Sequence, residues 1–344
     1  MLVSAASSGG KPHVHIVATG GTIANVTGDY DSPDGFLTAD DLVEELPKLA
    51  EVAEVTSTGI SRLGSSSLTP EVWYEAHEEI MSKAESEDPP DGFVITHGSN
   101  TSEETAYFMN LALETDLPVV VTGAQRGINK TGSEGFKNLY DAVRTAAHPD
   151  AGGRGTLLVT NDEVHHARDV SKLASNRPDA WESSNFGKVG LASPGQPVTF
   201  YRSVERPSGT DTPFDVSETP VTEFPLTDIH VVYSALAEDD TIVDAIADGA
   251  AGIVVAGFLT GGGASPDGLP SQAEALERAT AEEVPVVMCT RGSYGKIEPH
   301  GRDLPGGYGI GGDTLRPQKA RILLALGLTE TSDPEELADF FETY

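Results

Sequence analysis

The stretch HVHIVATGGTIA, residues 13–24, joins a strand-forming run to a glycine turn. Six strand-forming residues lead straight into Thr19, Gly20, Gly21 and Thr22, where the glycines allow a sharp turn and a close approach to the backbone. The two threonine hydroxyls fall where open α/β sheets bind their ligands, at the carboxyl end of a strand. The alternative is a tight turn with incidental threonines, because short glycine-rich loops recur by chance.

Strand-like and helix-like segments alternate along the rest of the chain. This alternation predicts a mainly parallel, doubly wound α/β sheet. A stretch rich in Pro, Ser, Thr and Asp at residues 205–225 interrupts the pattern and is typical of a linker. We therefore predict two α/β domains joined by that linker. The larger, N-terminal domain covers residues 1–204, and the smaller, C-terminal domain covers residues 226–344.

The chain is strongly acidic. Lys and Arg number 22 and Asp and Glu number 54, so the formal net charge is 22 − 54 = −32. A field of this sign repels nucleic acid and anionic membranes, and we exclude both as partners. Because regular apolar strands continue to the end of the chain, the carboxylates are interpreted as a solvated surface, of the kind that keeps halophile proteins soluble in salt.

The compartment is inferred from what the sequence lacks. Residues 1–11, MLVSAASSGGK, have neither the charged start nor the apolar core of a signal peptide. The single cysteine, Cys289, excludes an internal disulfide and a cysteine-based metal cluster. Apolar runs are all far shorter than a membrane span. We expect a cytoplasmic protein of a salt-adapted cell, without a metal site.

Hydroxyl side chains cluster in glycine-containing turns after three strands of the first domain. They are Thr22, the pair Ser65 and Ser66, and Ser99. In a parallel sheet these three turns lie at the same edge. Hydroxyls there can supply a nucleophile, hold a substrate carboxylate, or cap helices, as Ser and Thr often do at helix starts.

Two segments carry a family resemblance. ATGGTIA at residues 18–24 and ITHGSNTSEETAYFMNLAL at residues 95–113 resemble the two signatures of the bacterial-type L-asparaginases, the second of which usually contains HGTDT. Further matches extend the resemblance to essentially the whole chain after residue 12: GAQR at 123–126, GFKNLYDAV at 135–143, residues 161–172, DTPFDVSE at 211–218, and PQKARILLALGLT at 317–329. With the acidic composition, the resemblance indicates a halophilic archaeal member of this family.

The resemblance implies a reaction and an assembly. Members hydrolyse L-asparagine to L-aspartate and ammonia, and some also accept glutamine. They need no metal and no organic cofactor. Their usual assembly is a homotetramer of two intimate dimers, with sites at subunit interfaces. We therefore expect a small amino-acid amide as substrate and a homo-oligomer, either a tetramer or a dimer.

The family pattern also assigns roles to the first two turns. Thr22 matches the nucleophilic threonine, and an alcohol needs a nearby base and a polarised carbonyl to attack an amide. Tyr30 is the candidate for the tyrosine that assists it, with Phe36 as the alternative. Ser65 matches the serine that binds the substrate α-carboxylate. Ser66 follows at a position where the family often has the longer Gln or Thr.

The second signature contains the departure from the family. Ser99 stands at the position of the second catalytic threonine, and Lys172 matches the lysine paired with it, which can act as a base when desolvated. Asn100 replaces an aspartate that, in the family, grips the substrate α-ammonium and orients the lysine. Three hypotheses follow: an asparaginase with weakened or compensated ammonium binding, a relative acting on another amide, or a site of little activity.

Two residues of the second domain match the family pattern less closely. Thr260 stands where the family often has an asparagine, and Glu298 is the candidate for a glutamate that reaches a neighbour's site.

Two other functions are alternatives to asparagine hydrolysis. One is the ammonia-releasing subunit of a tRNA-dependent amidotransferase, which the acidic charge and the short segment before residue 13 disfavour. The other is a non-catalytic amino-acid-binding protein, motivated by Asn100 and Ser66.

Overall fold

The computed structural model describes residues 10–30, 32–300 and 309–344. Two compact units divide the chain: the first ends at Asp211 and leaves out Ser184–Phe186, which join Thr212–Tyr344 in the second. The chain therefore passes from one unit to the other within the segment 205–225. Each unit is a layered α/β structure, and the predicted fold class is confirmed.

Unit 1 is built on an eight-stranded sheet in its described part, with strand order β10-β9-β6-β5-β4-β3-β1-β2. A separate hairpin consists of β7 and β8. The strands are β1 (His13–Gly20), β2 (Glu54–Leu63), β3 (Gly92–Thr96), β4 (Val119–Thr122), β5 (Thr156–Thr160), β6 (Glu163–His166), β7 (Val170–Lys172), β8 (Trp181–Ser183), β9 (Gly190–Leu191) and β10 (Thr199–Phe200). The helices are α1 (Ala39–Glu44), α2 (Leu49–Val52), α3 (Pro70–Ala84), α4 (Ser102–Ala112) and α5 (Gly135–Ala146).

The parallel half of this sheet runs β2-β1-β3-β4-β5. Its inner strands are almost continuous apolar runs, because helices or loops cover both faces of a parallel sheet; β3 and β4 are buried throughout. The turns after β1, β2 and β3 lie at one edge, since these three strands are neighbours and parallel. This edge carries the hydroxyl turns predicted from the sequence.

The other half of the sheet is antiparallel, which the sequence pattern did not predict. Asn161 and Asp162 turn the chain from β5 to β6 with φ values of 50° and 68°, and two residues with positive φ suit a tight hairpin. From this turn onward the sheet strands β6, β9 and β10 are only two to four residues long. Strands this short carry too little alternation to be recognised.

The described residues of unit 2 contain a four-stranded parallel sheet, β11 (Ile229–Tyr233), β12 (Gly252–Gly257), β13 (Val286–Thr290) and β14 (Ile310–Gly311). Its helices are α6 (Thr241–Ala247), α7 (Gln272–Ala281), α8 (Pro317–Glu330) and α9 (Pro334–Thr343). Every residue of β12 is buried. Across the described ranges, the helices are all too short or too polar to cross a membrane.

Candidate active site

Three turns at the sheet edge of unit 1 touch each other through their backbones. Gly21 has φ +81°, and a Cβ there would overlap the backbone of Gly98. A Cβ on Gly98 would lie 2.7 Å from the side chain of Ser65. Only glycine fits such positions, because any side-chain carbon would force the turns apart. The β1, β2 and β3 turns therefore form one contiguous wall.

Thr22 and Tyr30 form the first polar pair on this wall. The Thr22 Oγ1 lies 3.1 Å from the Tyr30 hydroxyl, and either oxygen can be the donor. Tyr30 is 40% exposed, and its Cβ and ring lie against the turn at Gly64. Phe36, the alternative residue, is buried with Ala24 in a small apolar cluster. The hydroxyl that faces Thr22 is thus that of Tyr30.

Replacing Tyr30 with phenylalanine tests this pair. The ring and its edge-on contact with Phe36, at 6.0 Å between centroids, are kept, while the hydroxyl beside Thr22 is lost. For the amide hydrolysis that the resemblance implies, we expect kcat to fall about 10-fold with little change in KM, because a positioned proton donor or acceptor acts mainly in the transition state. Steady-state ammonia release measures this. An unchanged kcat would contradict a role for the Tyr30 hydroxyl.

Ser99, Asn100 and Lys172 form the second polar group. The Lys172 ammonium donates to Ser99 Oγ at 2.8 Å and to Asn100 Oδ1 at 3.0 Å. The backbone N–H of Lys172 donates to the carboxylate of Glu103, in the first turn of α4, at 3.0 Å. Burial lowers the pKa of Lys172, and the charge of Glu103 opposes that shift. In its neutral form the lysine can accept the Ser99 proton along the same hydrogen bond.

Ser65 connects the second turn to the third. Its buried Oγ accepts a hydrogen bond from the backbone N–H of Asn100 at 3.2 Å, and its carbonyl accepts from the Thr101 hydroxyl at 3.1 Å. An oxygen that accepts in this way keeps its own proton for donation. The Ser65 hydroxyl can therefore donate to an anionic group of a ligand, while the neighbouring Ser66 is exposed.

Residues 13–206 match the family described as "Asparaginase, N-terminal", and residues 228–341 match "Glutaminase/Asparaginase C-terminal domain". The chain belongs to the asparaginase family. The resemblance proposed from the two signatures is thereby confirmed.

Several proteins of the asparaginase family are similar over nearly their whole length. L-asparaginase 2 of Bacillus subtilis is 35% identical, over 99% of this chain and 90% of its own. Glutaminase-asparaginase of Pseudomonas fluorescens is 32% identical, over 96% of this chain and 90% of its own. The crystal structure of a probable cytoplasmic L-asparaginase from Campylobacter jejuni is similar at a TM-score of 0.87 and 34% identity, covering 97% of this chain and 100% of that one.

A buried relay behind the second asparaginase signature was missed in the sequence. The Gly98 carbonyl can only accept, so the His97 Nδ1–H donates to it at 2.8 Å. In the neutral ring Nε2 is then an acceptor, and the Thr105 hydroxyl donates to it at 2.8 Å while accepting from Trp73 Nε1 at 2.8 Å. Burial lowers the pKa of His97 to about 4, which keeps the ring neutral. The relay fixes the peptide that precedes Ser99.

Sequence signals for the missed residues were weak but present. His97 is a polar residue directly after the fully buried strand β3. Glu103 lies in the first turn of α4, three residues after Asn100, and is itself buried. A buried ionisable residue needs a partner. The need for a hydrogen-bond partner predicts that His97 and Glu103 each have one, but it does not say which residue that partner is.

Thr260 and Glu298 belong to unit 2 and are described within that unit. Thr260 is exposed in the turn that follows β12. The Glu298 side chain is 69% exposed and forms an ion pair with Lys296 at 2.9 Å. The other predicted site residues of the asparaginase pattern lie on the turns and the β7–β8 hairpin of unit 1: Thr22, Tyr30, Ser65, Ser66, Ser99, Asn100 and Lys172.

Proposed function

We propose that this chain hydrolyses L-asparagine to L-aspartate and ammonia, with Thr22 as the nucleophile. The observation that carries the proposal is the pairing of two hydroxyls with assisting groups, Thr22 with Tyr30 and Ser99 with Lys172, on turns in backbone contact. The relatives named L-asparaginase support this choice of substrate. The glutaminase-asparaginase relative supports glutamine as a second substrate.

The chemistry proceeds in two steps. The Thr22 oxygen attacks the amide carbon, the amide nitrogen gains the displaced hydroxyl proton, and the C–N bond breaks to release ammonia and leave an ester. Water then attacks the ester carbon, and its proton returns to the Thr22 oxygen as aspartate leaves. Neutral Lys172 carries the proton transferred in each step: it accepts the proton through the Ser99 hydroxyl as the nucleophile attacks, and it returns the proton to the departing amide nitrogen in the first step and to the Thr22 oxygen in the second. It is therefore a general base that is regenerated.

Substrate orientation is assigned to Ser65 and Asn100. The Ser65 hydroxyl retains a proton for the α-carboxylate. The Asn100 Oδ1 already accepts from Lys172 and carries no charge, so it is a weaker acceptor for an α-ammonium than a carboxylate is. The site therefore binds the α-ammonium less tightly than the family aspartate would.

An ammonia-release assay on the purified chain in molar KCl tests the function. We expect ammonia from L-asparagine, with a smaller rate from L-glutamine, and a matched reaction in low salt controls for the acidic surface. If neither amide releases ammonia in either buffer, hydrolysis of asparagine is excluded. Calorimetric binding of asparagine without turnover would instead support a non-catalytic amino-acid-binding protein.

Replacing Asn100 with aspartate tests how the site recognises its substrate. We expect kcat/KM for asparagine to rise about 10- to 100-fold, because a charge-assisted hydrogen bond contributes about 1.5–3 kcal/mol. The control substrate is succinamate, which is asparagine without its α-ammonium and should gain much less. The carboxylate also raises the pKa of Lys172, so rates are compared on the pH plateau. Equal gains for both substrates would contradict this account of recognition.

The remaining features of the proposal concern the assembly and the cell. We infer a homo-oligomer, a tetramer or a dimer, in which Thr260 and Glu298 serve a neighbour's site. The net charge of −32 supports a salt-adapted, halophilic archaeal source. A cytoplasmic location and domain limits at residues 204 and 226 complete the proposal. Light scattering in molar KCl tests the oligomeric state, with a monomer as the contradicting outcome.

A further inference from the structure

The β7–β8 hairpin holds Lys172 directly opposite an aromatic residue. Lys172, the last residue of β7, pairs in register with Trp181, the first residue of β8. Side chains at directly paired positions lie on the same face of a hairpin and touch. The Lys172 Nζ is 5.9 Å from the centroid of the Trp181 ring. Lysine and tryptophan therefore form one side-chain pair.

Apolar packing fixes the tryptophan. Trp181 is 5% exposed and belongs to an apolar cluster with Leu158, Val170 and Ala180. Its buried indole N–H has no hydrogen-bond partner among the described residues. Buried tryptophans usually pair this group. Trp181 therefore contributes through the apolar packing of its ring and not through a hydrogen bond from its N–H.

We propose that Trp181 is a positioning residue for Lys172, whose ring shields the amine from water and holds it against Ser99. The inference rests on the proposed function, because it assumes that Lys172 works as a base. It adds a residue from outside the three turns to the group that controls the reaction. Lys172 is then held at two points, by Glu103 at its backbone N–H and by the indole beside its ammonium.

The Trp181 ring has two opposing effects on the pKa of Lys172, and their relative sizes decide the direction in which that pKa moves when the ring is removed. A cation–π contact favours the charged amine, but 5.9 Å is close to the outer limit of about 6 Å for that interaction. Burial is the largest influence on the pKa of Lys172, and it lowers that pKa. Because the cation–π contact is at its outer limit, we expect the loss of shielding to outweigh the loss of cation–π attraction, so that removing the ring raises the pKa of the lysine.

Other charged groups around the pair act in known directions. Glu103 on α4 raises the pKa of Lys172 and is left in place by changes at Trp181. Glu182, the next residue of β8, pairs with Ser171 and so lies on the opposite face of the hairpin. Behind β8, on β6, His165 bonds to the Ser183 hydroxyl and lies 3.3 Å from the Glu163 carboxylate. A substitution at Trp181 therefore removes the shielding of the amine and leaves these charged residues in the chain.

The pH dependence of kcat/KM for asparagine tests the proposal. The acid limb of this profile follows the base of the free enzyme. In Trp181→Ala we expect it to move to higher pH by about one unit, whereas Trp181→Phe, which keeps an aromatic wall, stays close to the wild type. Trp181→Leu should shift in the same direction as alanine and serves if the alanine variant does not fold. A uniform drop in rate with an unmoved limb would overturn the proposal.

Fluorescence supplies a test that does not depend on activity. The chain has two tryptophans, so Trp73→Phe leaves Trp181 as the only one. We expect its emission to change as Lys172 loses its proton, at a pH below the ordinary range of a lysine because burial lowers the pKa of this amine, and we expect the transition to vanish in Trp73→Phe/Lys172→Met. A transition that survives the methionine change would overturn the pairing. If the wild-type chain is inactive while Trp73→Phe still shows the lysine-dependent transition, the proposed function is refuted and the pairing of Trp181 with Lys172 stands.

Discussion

Replacing Thr22 with alanine is expected to lower kcat for asparagine hydrolysis about 10³- to 10⁴-fold. The change removes the oxygen that attacks the amide and leaves the Tyr30 hydroxyl without its partner at 3.1 Å. Thr22 is only partly buried in a turn, so the loss of its hydroxyl leaves the apolar core of the sheet intact. Ammonia release at saturating asparagine measures the rate, and thermal unfolding checks that the fold is kept.

Two control variants separate the nucleophile from general damage. Thr22→Ser keeps the oxygen and should retain activity within about 10-fold, since it loses only the methyl that restricts the rotamer. Thr199→Ala alters an exposed threonine of β10 and should leave the rate unchanged. Thr22→Ala retaining a tenth or more of the wild-type kcat would mean that another oxygen is the nucleophile.

Replacing Lys172 with methionine is expected to lower kcat about 10³-fold. Methionine keeps an unbranched stem beside Trp181 but removes the amine that donates to Ser99 at 2.8 Å and to Asn100 at 3.0 Å. Ser99 is then left with a hydroxyl and no base. The same ammonia assay, repeated from pH 6 to 10, should also lose the acid limb that the lysine sets.

Matched variants make the lysine prediction sharp. Lys83→Met removes a lysine of α3 whose ammonium lies 3.8 Å from Glu79, and it should leave kcat unchanged. Ser99→Ala combined with Lys172→Met should be little worse than the worse single variant, because residues that act as a unit are not additive. Multiplied losses in the double variant would show that the two side chains work independently.

The parallel half of unit 1 could be predicted because its signals are local. The inner strands β1, β3, β4 and β5 are largely apolar runs, and each ends in a turn. Parallel strands bring the turns at their carboxyl ends to one edge of the sheet, so the turns that carry Thr22, Ser65 and Ser99 were expected to lie at the same edge. The antiparallel half could not be predicted, since strands such as β9 and β10 have two residues each.

Side-chain partners across the site were beyond the sequence pattern. Trp73 and Thr105 are 32 residues apart in the sequence, and Lys172 and Ser99 are 73 residues apart. Hydrophobic periodicity carries no information on hydrogen bonds at such sequence separations. Lys172 was assigned through the family resemblance alone. The choice between Tyr30 and Phe36 depended on which ring turns toward Thr22 and which enters the core, a matter of packing that loop composition does not encode.

The backbone contact between Gly21, Gly98 and Ser65 has a consequence for how this enzyme can diverge. A methyl group at either glycine would separate the turns, so a single substitution at these glycines cannot make a small change in the spacing of the wall. We therefore expect changes in substrate specificity to arise from side chains on these turns, in particular at positions 66, 99 and 100. A combinatorial library that holds both glycines fixed and randomises those three positions would therefore sample new amide specificities while sparing the scaffold.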